Sequence, residues 1–595
     1  MSPPAKISIT DALLQQTPCT DLSVVAGEAG TPWKLAWSSS TLDRERVHFG
    51  QLSLDGTWRE LRRWRGIRPR VARCCGRAVV AFIGEREGRS APALWSHGPQ
   101  VDVLESNGYC HDIRLVGGDD FGWLALVERR GPRSFIRVGR VDHRVAWAPV
   151  AELPGDACAL AERGGDVRLA WVDDEGVWVG RLDAGGLGGV VRVADQSGAE
   201  APSLIADEGA WHLAWHAPVG DGVLSWLHVA IGRSDASGES WVVDHPPVDP
   251  QWIAAERADA AEDQGWMFPS LAVGPRGLWL AGRSANGFHV QLRAVDGWEP
   301  RREVSQPGWG GRSRTCALLA QGGQLYLLRG TPRGLSLGRL SMAAEADGAD
   351  PAKTPALEPL PVLGASLAGA GRETSASGVG CVLFGDLHQH SVHSDGLASA
   401  DSVYRRARDL YGHDFTALTD HESFCGKHIG PSTWRYQCEL ADALYEPGRF
   451  VTLKAYEFTA ARQPGPGHKC VYFADRVPER LPPKDSDALE RLLRDYGAFA
   501  VPHHIGWTGA DLAHHDPELQ PLFEICSVHG AYERAGERRV PPRADVVLPG
   551  QFILERRFIN VRCTDFIRHH AQLRQQFTPA RAARSEDKRH VFGVT

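Results

Sequence analysis

Leu169-Ala170-Trp171 returns 44 residues later as Leu213-Ala214-Trp215, and the same short signature can be followed in both directions along the chain. Upstream it reads Leu124-Ala125-Leu126, Val80-Ala81-Phe82 and Leu35-Ala36-Trp37. Downstream it reads Leu280-Ala281-Gly282 and Tyr326-Leu327-Leu328. The third positions of successive copies are 45, 44, 45, 44, 67 and 46 residues apart. Turn signals stand before the later copies: Gly164-Gly165, Glu208-Gly209, Pro275-Arg276-Gly277 and Gly322-Gly323. Apolar strands of this kind, repeated with a period near 45 and separated by Gly-rich turns, are the mark of β-propeller blades. Seven copies predict an all-β N-terminal propeller of about seven blades over residues 1–341. The long interval, residues 216–279, predicts an insertion that includes Pro246-Pro247-Val248-Asp249-Pro250. Radial stacking lets each small sheet bury both faces, and closing the ring protects the edges.

The blades resemble the Trp- and Gly-rich blades of sialidase-like propellers only loosely. No convincing Asp-box and no catalytic arginine triad can be read, so the expectation is a structural or ligand-presenting propeller. His212 and His216 flank one of the apolar strands and are expected to be packing or surface groups.

With 595 residues, 43% of them hydrophobic, the chain is long enough for two to four domains. Formal net charge is −7 and no basic block stands out, so nucleic-acid binding is not indicated. No basic segment followed by an apolar core opens the chain, and no apolar run approaches a membrane span. A cytoplasmic location is the expectation. The 12 cysteines are scattered without a Cys-x-x-Cys, which argues against a disulfide scaffold or a structural zinc site.

Residues 342–379 are rich in Ala, Pro, Gly and Ser and show no strand or helix period, so they predict a linker. From residue 380 to 595, strands and helices alternate. Predicted strands are Val382–Phe384, Phe415–Thr419, Phe450–Tyr456, Cys470–Phe473, Ala498–Val501 and Leu522–Ile525. Predicted helices are Ala400–Tyr411, capped by Ser399 and ended by Gly412, and Asp487–Tyr496. That alternation predicts an α/β barrel whose strand ends converge at one rim.

At those predicted strand ends lie Asp386-Leu387-His388-Gln389-His390, Ser394-Asp395-Gly396, Thr419-Asp420-His421, Tyr456-Glu457, Gly467-His468 and Pro502-His503-His504. Fifteen of the 24 histidines follow residue 380. His388 and His390, two apart on a strand, share a face and can bind one ion. Glu457 can bridge two ions with its two oxygens. Asp386 and Asp395 add charge or fix imidazole tautomers. A nitrogen and oxygen donor set without thiolate predicts two or three divalent ions, Zn, Mn or Fe, rather than Mg or Ca. Such ions, about 3.5–4 Å apart, activate water and clamp the oxygens of an in-line displacement.

In their order and combination these motifs resemble the PHP superfamily, the polymerase and histidinol phosphatase metal-dependent hydrolases, over about residues 384–530. The segments Ala455–Thr459, Gly467–Phe473 and Phe523–Gly530 are similar to a functionally uncharacterised branch of it. The resemblance implies a distorted (βα)7 barrel. It implies that His388, His390 and Glu457 hold a first ion, that Glu457, His468 and His503 hold a second, and that Asp395 and His421 contribute to a third. His504 would serve as ligand or ligand support, and Asp420 would orient a ligand or proton. His393, His428, His514 and His515 are expected to be solvated loop residues. The family's late Asp-x-His has no counterpart after residue 530: Cys563-Thr564-Asp565 and His569-His570 have other spacings. A barrel incomplete at its C-terminus is therefore expected, through truncation or a frameshifted tail, with a reduced site as the rival.

The functional expectation is a metal-dependent phosphoesterase acting on a small-molecule or phosphoester substrate, with His421 or Asp420 (the catalytic pair) assisting proton transfer. Two alternatives remain open. One is a propeller ligand-binding protein with a degenerate metal domain, and the other is a metallohydrolase of C–N or C–O bonds. Oligomeric state is not readable.

Overall fold

The Leu-Ala-Trp strands are the second strand of every blade. The computed structural model describes residues 8–341, 383–531 and 592–593, less short segments of which the longest are 143–146, 220–225, 247–265, 305–315, 461–465, 504–507 and 510–514. Among the described residues, seven antiparallel sheets of four or five strands follow one another from residue 8 to residue 341. Their second strands are Trp33–Thr41, Arg77–Arg86, Gly122–Arg130, Asp166–Val172, Trp211–Val219, Gly277–Arg283 and Gln324–Thr331. The N-terminal portion is a seven-bladed β-propeller.

The signature alternates large and small residues because each strand faces two neighbouring blades. Leu213 and Trp215 pack with Ala170 and Val172 of the preceding blade, while Ala214 packs with Leu278 and Leu280 of the following one. The same large-against-small contact joins Ala36 to Val80 and Phe82, Ala81 to Leu124 and Leu126, and Ala125 to Leu169 and Trp171. It joins Ala281 to Leu325 and Leu327 as well. The ring closes where Leu328 of the last blade meets Leu35 and Trp37 of the first. Backbone closure accompanies it: the strand Ser8–Gln15 pairs antiparallel with Gly334–Ser341, so the N-terminal segment is the outer strand of the seventh blade. The predicted insertion falls largely on residues 247–265, which lie outside the described residues.

The chain divides into two compact units, one within Met1–Gly364 and the other holding Ala365–Thr595. The predicted linker, residues 342–379, lies outside the described residues. In the second unit the strands run in the order Phe499–Pro502, His468–Phe473, Val451–Thr459, Phe415–Leu418, Leu383–Gln389 and Phe592–Gly593. Phe415–Leu418 is parallel to both of its neighbours. His468–Phe473 is antiparallel to Val451–Thr459, and Phe499–Pro502 is antiparallel to it in turn. The sheet is therefore curled and mixed with few helices, and it does not confirm the distorted (βα)7 barrel that the resemblance implied. The connection from Thr459 to His468 is too short for a parallel crossover, which needs a dozen residues or more, so the chain returns as a hairpin.

Three helical segments accompany this sheet among the described residues. The predicted helix begins at Ala400, with the Ser399 side chain accepting from Ser402 N, but its α-helical part ends at Arg405 and continues as a wider π-type turn to Leu410. Gly412, at φ 64°, follows. Pro431–Leu444, not anticipated, buries Trp434, Leu440 and Leu444. Ser486–Tyr496 is capped by Asp485 and ends at Gly497 in the left-handed region. Two apolar layers flank the sheet: Tyr456, Phe458, Val471 and Phe473 on one face, and Leu453, Ala455 and Tyr472 on the other. No helix of the described residues is long and apolar enough to cross a membrane.

Candidate metal centre

Glu457 lies within the strand Val451–Thr459 rather than after it, and sits directly opposite Cys470 on the neighbouring antiparallel strand. Alternation turns Tyr456 and Phe458 into one apolar layer and leaves Glu457 on the other face, 1% exposed. A lone carboxylate could not be buried there without partners. Five imidazoles supply them. Oε1 of Glu457 lies 2.7 Å from His468 Nδ1, 3.0 Å from His503 Nε2 and 3.2 Å from His421 Nδ1. Oε2 lies 3.3 Å from His388 Nε2 and 3.2 Å from His390 Nε2.

The five imidazoles arrive from four strands of the sheet. His388 is the penultimate residue of the strand Leu383–Gln389, and His390 follows directly after that strand. His421 follows Phe415–Leu418 and forms a parallel bridge with Glu457. His468 opens its strand, and His503 follows Phe499–Pro502. Asp395 stands at the more open side, 3.4 Å from His390 Nδ1 and 3.6 Å from His421 Nε2. Glu457, His503, His468 and His421 are buried, whereas His388, His390 and Asp395 keep about a fifth of their side-chain surface or slightly less. The cluster is thus deep at Glu457 and open at His390 and Asp395.

All seven residues predicted as ligands are brought together. Three groups place their donor atoms within 4.8 Å of one another: His388, Glu457, Cys470 and His503; His421, Glu457 and His468; and His390, Asp395 and His421. The donor set is not free of thiol, as the spacing argument supposed. Cys470 lies two residues after His468 on a strand, so both face the cluster, and its Sγ is 3.6 Å from His503 Nδ1. The spacing His468-x-Cys470 carried that signal.

Glu524 is the other residue not foreseen. Its Oε2 lies 2.7 Å from His388 Nδ1, and its Oε1 is buried with no hydrogen-bond partner among the described residues. Taking Nδ1 leaves Nε2 of His388 as the nitrogen that faces Glu457. The expected strand at 522–525 does not form over Leu522–Glu524. This stretch is held instead by a bond from Glu524 N to Pro502 O at 3.0 Å.

Asp420 is fully buried and is in none of the three donor groups. Its Oδ1 accepts from Ser391 N and Ser394 Oγ, both at 2.6 Å. Its Oδ2 accepts from Ser391 Oγ at 2.5 Å and Gln437 Nε2 at 2.6 Å. It fixes the loop that carries Asp395. Asp386 accepts from His388 N at 2.9 Å, and burial raises its carboxyl above the usual range. His393 and His428 are half-buried, and neither is in the three donor groups. His504, His514, Cys563, Asp565, His569 and His570 lie outside the described residues.

Glu457 and two of its imidazoles stabilise one another's charged forms. Burial opposes charging of Glu457, but His421 and His503 outweigh it and hold the carboxyl well below its ordinary range. Burial likewise opposes charging of His421 and His503. Glu457 overrides it, with Asp395 for the first and Cys470 for the second, and lifts them to about 10 and about 9. Burial would raise the Cys470 thiol, but His388 and His503 bring it down to about 6. Desolvation lowers His468 despite Glu457. Five imidazoles around one carboxylate form a nitrogen-rich donor set that divalent cations of the Zn, Mn and Fe class fit.

Residues 389–492 match a family described as a protein of unknown function (DUF3604), well under half of the chain. No curated protein matches. Among solved structures, the chain is similar to the Trypanosoma rangeli sialidase in complex with the inhibitor DANA, at 12% identity and TM-score 0.30 over 48% of this chain. That match spans only 57% of the sialidase's own length. It is also similar to polysaccharide lyase Uly1, at 8% identity and TM-score 0.35, over 57% of this chain and all of that one. A third is Kuenenia stuttgartiensis hydrazine synthase, at 11% identity and TM-score 0.38, over 55% of this chain and 97% of that one. Likenesses this distant carry no statement about activity. None of these matches names the PHP superfamily, so that resemblance rests on the motifs alone.

Proposed function

We propose that the second unit is a metal-dependent hydrolase of the PHP type, acting as a phosphoesterase. The observation that carries this reading is the convergence of five imidazoles on the two oxygens of buried Glu457. A buried carboxylate with imidazoles around both of its oxygens is suited to bridging two cations. With Glu457, His388, Cys470 and His503 would hold one, and His468 would contribute to another. His390 and Asp395 with His421 would hold a third at the open side. When bound, the ions supply Lewis acidity: they lower the proton affinity of water and neutralise charge on a phosphoryl group.

The chain's own residues do the rest. Glu524 holds the proton of His388 on Nδ1, so that Nε2 is free to ligate. Thr459 Oγ1, 2.6 Å from His421 Nδ1, orients that ring and leaves Nε2 toward Asp395. Asp420, whose oxygens already accept four hydrogen bonds, acts by holding the loop. The apolar layers on both faces of the sheet keep water from the deep side at Glu457.

Metal content together with turnover of an aryl phosphate tests this. Stoichiometric metal with metal-dependent phosphate release supports it. Metal without phosphate release points to C–N or C–O hydrolysis, and a protein that takes up no metal refutes the enzymatic reading. The propeller is proposed to recruit substrate.

A further inference from the structure

Among the described residues, Cys470 is the one soft donor in the donor groups, and the spacing of its neighbours defines what it can do. His468, Cys470 and Tyr472 share one face of their strand, and Tyr472 is fixed by its hydroxyl donating to Leu387 O at 2.8 Å. The thiol is therefore held by a rigid strand directly across from Glu457, 1% exposed. It lies 3.6 Å from His503 Nδ1 and within 4.8 Å of a His388 ring nitrogen. Because Glu524 occupies Nδ1 of His388, the nitrogen left to share a cation with the thiol is Nε2, which is 3.3 Å from Glu457 Oε2.

These separations can be compared with a tetrahedron. Bonds of about 2.3 Å to sulfur and about 2.0–2.1 Å to nitrogen or oxygen give edges of about 3.5 Å between sulfur and nitrogen and about 3.3 Å between nitrogen and oxygen. The observed 3.6 Å and 3.3 Å match both edges. Among the three donor groups, only this one contains sulfur; the group of His390, Asp395 and His421 offers nitrogen and oxygen alone.

We propose that Cys470 is a direct metal ligand, so that His388, Glu457, Cys470 and His503 form a thiophilic subsite of zinc type beside a harder subsite at His390, Asp395 and His421 that suits manganese or iron. This deepens the metal reading above and rests on it. The centre would hold two different metals, separated by donor softness rather than by cavity size.

The test uses the full-length protein, stripped by chelator and titrated with cobalt(II). The wild type should develop a near-ultraviolet thiolate-to-cobalt charge-transfer band, saturating at one equivalent. Cys470→Ser should lose that band while still binding cobalt at the other subsite, and its zinc affinity should fall roughly 100-fold, as for loss of one of four ligands. Its manganese affinity should change by less than about threefold, since that ion takes no thiolate. Cys438→Ser, altering a buried cysteine outside the donor groups, should keep the band. Zinc X-ray absorption on the wild type alone, needing no variant, should show a sulfur neighbour at about 2.3 Å. Cobalt bound without the band, or zinc without a sulfur neighbour, would overturn the proposal and leave the metal centre standing, with Cys470 only accepting a hydrogen bond from His503. Failure of the wild type to bind any metal would overturn both.

Discussion

Replacing Glu457 by Gln removes the one negative charge on which the buried imidazoles converge while keeping the side chain's size. Its Oε1 faces three imidazoles and its Oε2 faces two, so the change takes a charged donor from two cation positions together. A four-ligand zinc site binds with about 10–16 kcal/mol, which makes one ligand worth about 2.5–4 kcal/mol. At 1.4 kcal/mol per factor of ten, affinity should fall about 10²–10³-fold at each position. Metal content after equilibration against a chelator buffer measures this directly, with far-ultraviolet circular dichroism to confirm that the strands persist. The two losses should occur together because a single residue serves both ions. Full occupancy at wild-type affinity would refute the reasoning, since the imidazoles would then be gathered around Glu457 as a hydrogen-bonded structural cluster. Loss of one ion alone would show that Glu457 does not bridge.

Four other outcomes follow from the geometry. Trp215→Ala, at a fully buried side chain between two blades, should destabilise the propeller by about 3–5 kcal/mol in denaturant unfolding, and Ala214→Leu on its other face by about 1–3 kcal/mol. Removing residues 1–15 leaves Gly334–Ser341 without its outer partner, so the propeller should melt at a lower temperature; an unchanged melt would mean that the closing strand contributes nothing. His228 is buried with Nε2 on Pro246 O, and desolvation holds it near pKa 3 against about 6.5 unfolded. Its depressed value makes the folded state bind fewer protons, so stability is complete above about pH 6.5 and declines as pH falls toward 3, by up to about 1.4 kcal/mol per pH unit. His228→Gln should flatten that slope in thermal melts between pH 7 and 4. Asp420→Asn replaces an acceptor of four hydrogen bonds; it should cost about 1–3 kcal/mol in the second unit and weaken the ion at Asp395 more than the one at Cys470, as read by metal stoichiometry.

The blade count was legible because each copy of the signature solves the same local problem, with large residues toward one neighbour and a small one toward the other. Gathering the metal-binding side chains was legible from residue type and strand position. Two readings failed for identifiable reasons. Strand direction was taken from the alternation of strands and helices, yet the short step from Thr459 to His468 allows only a hairpin, a constraint present in the spacing itself. Cys470 was passed over because cysteines were weighed by their distance from one another, when its distance of two residues from His468 was what placed it in the cluster.

Glu524 could not have been found that way. It meets His388 across 136 residues, from a stretch with no regular structure, and although it lies in the family-like segment Phe523–Gly530, no spacing there marks it as a partner of His388. The amino-acid sequence alone determined the period, the number of blades and the kinds of donor atom available, because those depend on side-chain volume and chemistry repeated at short range. Only the tertiary structure decided which donors share a cation, which nitrogen of each imidazole faces Glu457, and that a thiol stands among them. Those outcomes depend on how strands far apart in the chain lie beside one another, and no short-range pattern encodes that.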